Sequence, residues 1–92
     1  MKIGIGIVHF RRWGDDSMIP KIDIIATGKN IKALMDSTGV TPTEIKEWCG
    51  FTTVMPIYHW IHGRHLPSLD SLVILACMFG CKMDDIIVLE VG

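Results

Sequence analysis

Between residues 41 and 63 the chain has little freedom of local structure. Thr41-Pro42-Thr43-Glu44 is a complete helix start. The threonine hydroxyl can accept from an amide of the first turn, proline suits the first helical position, and the glutamate can reach back to the threonine amide. Gly50 stops that helix in the position favoured for a left-handed cap. Thr52 or Thr53 can then cap a second helix, in which Pro56 is tolerable only in the first turn, and Gly63 ends it. Two short helices joined by so brief a turn must cross steeply, which is the helix-turn-helix arrangement.

The flanking sequence is punctuated in the same way. Ile24, Gly28, Ile31, Leu34 and Met35 recur every three or four residues, which predicts a helix with one buried stripe, stopped by Gly39. Ile45, Trp48 and Cys49 are the expected inner face of the second helix, and Ile57, Trp60 and Ile61 that of the third. Both Trp48 and Trp60 are thus expected in the core. Pro67-Ser68 opens a fourth helix with Leu69, Leu72, Val73, Ala76 and Phe79 inward, closed by Gly80. Met83-Asp84-Asp85 begins a short last element running through Ile86, Ile87 and Leu89, its aspartates suited to the positive end of a helix. The expectation is an all-α domain of five short helices over residues 21–92.

Residues 1–20 read differently. Ile3, Ile5 and Ile7 alternate as in a strand, and Trp13-Gly14-Asp15-Asp16-Ser17 has the composition of a turn. A lone strand is not stable by itself, so this extension must pack, pair or stay mobile. An alternative reading starts the protein at Met18.

Size and composition exclude several classes. At 92 residues the chain is too short for a Rossmann or barrel enzyme. With 49% apolar and 21% charged residues it is suited to a globular core rather than to disorder. Three cysteines, Cys49, Cys77 and Cys81, do not make a secreted disulfide framework. The uncharged run of residues 71–81 is short of a membrane span, and Arg11 and Arg12 follow the N-terminal apolar run instead of preceding it as in a secretory signal. A cytoplasmic protein with no membrane partner is expected. The net charge is −1, with the acids gathered at Asp70, Asp84, Asp85 and Glu90, while residues 21–66 are mildly basic and end in His59, His62 and His65. That balance permits a phosphate-facing surface.

Two blocks carry a family resemblance. Gly28-Lys29-Asn30-Ile31-Lys32-Ala33-Leu34-Met35 resembles the opening helix of the Cro and phage-repressor helix-turn-helix superfamily of the xenobiotic-response-element type, G-x-x-I-x-x-L-R, with Met35 at the arginine. Residues 57–69 resemble its I-S-x-W-E-x-G-x-x-x-P-S-L block, with Ile61 at the glutamate, and Leu72, Leu75-Ala76, Phe79-Gly80 and Asp84-Asp85-Ile86 track its last two helices. The resemblance covers residues ~22–90. It implies a five-helix lambda-repressor-like DNA-binding domain whose third helix, about residues 53–62, enters the major groove of double-stranded DNA, and a homodimeric, repressor-like transcription regulator.

On that reading the base-facing residues are Thr53, Val54, Met55, Tyr58 and His59. Hydroxyls bond to bases, and Val54 or Met55 suits a thymine methyl. Phosphate contacts fall to Thr43, Lys46, His62, Arg64, Lys29 and Lys32. Charged imidazoles would strengthen binding as the pH falls below ~6.5. The third helix holds no Arg, Asn or Gln, the strong bidentate base readers. That absence, with the apolar Val54-Met55-Pro56 tip, gives the alternative of a protein-interaction module, antitoxin-like or adaptor, with a protein partner. No metal is expected from His59, His62 and His65, since structural zinc sites use four ligands. No catalytic motif is visible, and neither enzymatic activity nor a cofactor is expected.

Overall fold

The capping signals set the helix boundaries in the computed structural model, which describes residues 20–91. The elements are β1 (Pro20–Ile22), α1 (Ile24–Thr38), α2 (Pro42–Cys49), α3 (Met55–Ile61), α4 (Leu69–Phe79), α5 (Met83–Ile86) and β2 (Leu89–Val91). Asp23 accepts from the Ala26 amide at the start of α1, Thr41 and Glu44 form the full reciprocal box at the start of α2, and Ser68 accepts from the Ser71 amide at the start of α4. Gly39, Gly50 and Gly80 close α1, α2 and α4 in the left-handed conformation, where a side chain would be strained.

Each helix contributes one aliphatic side chain with no exposed surface: Ile31, Ile45, Ile57, Leu75 and Ile86. Full burial of such a residue stabilises by about 1.5–3 kcal/mol, so the centre of the core draws on all five helices. Met35, Trp60, Leu72, Ala76 and Phe79 surround it.

Three expectations about facing are corrected. Trp48 is 59% exposed, not core. Ile45 and Cys49 hold the inner side of α2 one turn apart, and the aromatic place beneath the turn is filled by Phe51, set edge-on to Trp60 with ring centroids 6.0 Å apart. Leu69 and Val73 are also exposed, at 74% and 55%. The α4 sequence is apolar almost all round, so its periodicity does not select a side, and the buried set is Leu72, Leu75, Ala76 and Phe79. The third helix begins later than residue 53 because Val54, in a helical conformation and without a side-chain cap bond, is its boundary residue.

The last element is shorter than its apolar run. α5 stops at Ile86, and Ile87 turns extended at ψ 130. Side chains of α1 take the groups that a longer helix would have used. The Asn30 amide donates to the carbonyls of Asp85 and Ile86, and the Thr27 hydroxyl both donates to the Val88 carbonyl and accepts from its amide. The chain then pairs antiparallel with β1, with Ile22 opposite Leu89 and Pro20 opposite Val91. This two-stranded ribbon is added to the five expected helices. The alternating isoleucines and the turn of residues 1–19 lie outside the described residues. Among the described residues no helix is long and apolar enough to cross a membrane.

Candidate functional site

The position of α3 is set from beneath. Ile57 and Trp60 are buried, and Ile61 is half-buried. Gly28 of α1 lies against the end of the helix, where a Cβ would run into the carbonyl oxygens of Trp60 and Ile61. Glycine is required there for backbone proximity, not for its own conformation. Past the helix, Gly63 (φ 72) packs on Ile25 and lets the Arg64 amide turn back to the His59 carbonyl at 2.9 Å.

The inner contacts leave a continuous outer face. Met55 and Tyr58 are exposed at 52% and 42%, and His62 is exposed as well. Thr53 is exposed just before the helix, where its hydroxyl accepts from the Met55 amide, while Val54 and His59 are half-buried. Tyr58 stacks on His62 one turn along, with centroids 6.3 Å apart and planes 23° from parallel. His59 pairs instead with His65, at 5.2 Å. Thr53, Met55, Pro56, His59, Trp60 and His65 line an open cleft of about 300 Å³. Three of the five base-facing candidates, Met55, Tyr58 and His59, therefore occupy the exposed side or rim of one helix, and Thr53 and Val54 lie just before its first residue. His65, weighed from the sequence together with His59 and His62 but not placed among the base- or phosphate-facing residues, joins this cluster across the glycine turn.

The cationic candidates are less uniform. Arg64 is exposed directly beyond α3, and Thr43 is exposed in the first turn of α2. Lys46 is half-buried. Lys29 is exposed on α1. Lys32 shares with Tyr58 and Ile61 a second cleft, of about 420 Å³, that also reaches Thr41 and Pro42. Its ammonium is engaged by Asp36, one turn on, at 2.8 Å. Both groups are more than half exposed, so solvent screens the pair and its strength is small.

Two carboxylates thus stand near this surface whose charge the sequence reading did not weigh. Asp36 was recoverable from its spacing of four to Lys32. Glu44 was read as a cap alone; closing the box brings its carboxylate to the Thr41 amide (2.9 Å) and hydroxyl (3.1 Å), next to Thr43.

The thiols lie apart. Burial pushes the Cys49 thiol up from its ordinary range, partly opposed by a hydrogen bond with Ser71. Cys81 is raised by burial and then by the nearby Asp85 carboxylate. Both therefore stay protonated near neutral pH and are poor nucleophiles. Among the described residues no group of three or more His, Cys, Asp or Glu side chains is arranged to hold a metal ion. Comparison with protein-family models, with curated proteins and with solved structures found no match to this chain.

Proposed function

We propose that the protein is a sequence-specific DNA-binding transcription regulator of the Cro and repressor helix-turn-helix type, acting as a homodimer with α3 in the major groove. The observation that carries this reading is the outer face of α3. It presents hydroxyl, imidazole and thioether groups from Thr53, Met55, Tyr58 and His62, it carries no acid, and its inner residues fix its orientation. A major groove admits one helix of this kind. Arg64, exposed where the chain leaves α3, is suited to a backbone phosphate, which sets register without reading sequence.

Selection of bound duplexes from a random DNA pool tests the proposal. The expected product is an enriched motif with two half-sites about 34–36 Å apart or a multiple of that spacing. Affinity is expected to fall steeply between about 50 and 200 mM salt, because bound phosphates release counterions. Arg64→Ala is expected to weaken all sequences alike and to reduce the salt slope by about 1, whereas Tyr58→Ala is expected to alter preference. No enriched motif, together with salt-insensitive binding, refutes the reading.

One observation favours a second reading, a protein-interaction module. Trp48 and Met55, before and after the turn of residues 50–54, are both exposed apolar side chains. A partner protein that quenches or shifts Trp48 fluorescence, with no duplex doing so, would support it.

A further inference from the structure

The fold divides the three evenly spaced histidines. His62 stacks on Tyr58 and does not line the cleft beside α3, whereas His59 and His65 both line it. The main chain sets their pairing. Gly63 (φ 72) reverses the chain, and the His59 carbonyl accepts from the amides of Arg64 (2.9 Å) and His65 (3.4 Å). His65 is thereby returned to the end of α3, with the two ring centres 5.2 Å apart and the planes inclined by 57°.

We infer that His59, His65 and Met55 form a binding site for a monovalent copper ion, each imidazole giving one ring nitrogen and Met55 its thioether sulfur. The spacing suits a shared ion. With metal–nitrogen bonds of about 2.0 Å, a ring centre about 1.1 Å behind the nitrogen and an angle of about 110–120°, two imidazoles on one ion have centres about 5–5.4 Å apart. Met55 precedes His59 by one helical turn and lines the same cleft. A thioether beside imidazoles selects copper(I) over zinc, and the lining holds no carboxylate of the kind that magnesium, calcium or manganese prefer. Arg64, exposed next to His65, repels a singly charged ion only about half as strongly as a doubly charged one. The ion would be added to a helix that the core already holds, so the site is not a requirement for folding. The inference does not depend on DNA binding.

NMR titration of the full, reduced chain with copper(I) under anaerobic conditions tests it, because this ion is diamagnetic and each ligand can be followed separately. The ring signals of His59 and His65 and the methyl signal of Met55 are expected to shift together and to saturate with one ion. His65→Gln, a change at an exposed loop position, is expected to weaken binding at this site at least roughly tenfold. Met55→Leu is expected to weaken copper(I) while leaving zinc(II) binding as it was. Uptake of the ion by Cys49, Cys77 or Cys81 with the His59 and His65 signals unmoved overturns the inference. So does an unchanged copper(I) affinity in either variant.

Discussion

The second and third helices begin in opposite ways. α2 supplies its own start: Thr41 accepts from the Glu44 amide, Glu44 returns to the Thr41 amide, and Pro42 is set for the first turn. α3 has Val54 at its boundary with no side-chain cap, and only Thr53 reaches an amide nearby, at a long 3.3 Å. With seven residues α3 is too short to persist on local bonds, since isolated helices below about 12–15 residues are marginal in water. Local chemistry therefore defines α2, while tertiary packing against Gly28, Phe51 and the core defines α3. The helix proposed to read DNA is the one whose position is set from inside and not by a cap of its own.

If packing defines α3, the largest effect comes from the α1 side of its seam. Gly28→Ala adds a methyl group that meets two backbone carbonyls, which cannot rotate away as a side chain would. Alanine gains up to about 1 kcal/mol of helix propensity, but overpacking against a rigid wall costs more. A net loss of about 2–3 kcal/mol is expected in denaturant unfolding, and α3 amides are expected to lose more exchange protection than those of α2. Equal loss in both helices would show that the seam does not single out α3.

The next contrast lies in the caps. Thr41→Ala is expected to cost about 1 kcal/mol, because it leaves a helix-end amide without its partner. Thr53→Ala is expected to cost under about 0.5 kcal/mol, typical of a surface change. Thermal unfolding of the two variants side by side measures the difference. A costlier Thr53 variant would mean that the long contact to Met55 is the true cap of α3.

The same division explains what could be read from the sequence. Helix number, the α2 box and the glycine stops were legible because each depends on residues within four positions of one another. The facing of Trp48, Leu69 and Val73 was not, because an apolar residue beside a buried stripe goes inward only if no other side chain has filled the space, and here Phe51 and Leu75 have done so. The end of α5 was hidden for a similar reason: from more than fifty residues earlier, Asn30 takes the carbonyls of Asp85 and Ile86, and Thr27 takes the amide and carbonyl of Val88 just beyond. At the candidate site, the exposed residues of α3 followed from the spacing of Ile57 and Trp60. The acids beside it did not, since charge was read region by region and not contact by contact.

The smallest expected effect on stability tests electrostatics at the start of α2. Glutamine can close the same box as glutamate, so Glu44→Gln is expected to keep the helix start and lose only about 0.3–0.5 kcal/mol of favourable charge at the helix's positive end. Binding should respond in the other direction. The Glu44 carboxylate accepts from the Thr41 amide and hydroxyl beside Thr43, and it repels any phosphate that approaches there. Two unit charges about 4 Å apart in water interact by about 1 kcal/mol, and salt reduces this. The variant is therefore expected to bind duplex DNA roughly two- to fivefold more tightly at low salt, with the gain shrinking as salt is raised. An unchanged affinity would remove Thr43 and the start of α2 from the interface, leaving α3 and Arg64 as the surface that meets the duplex.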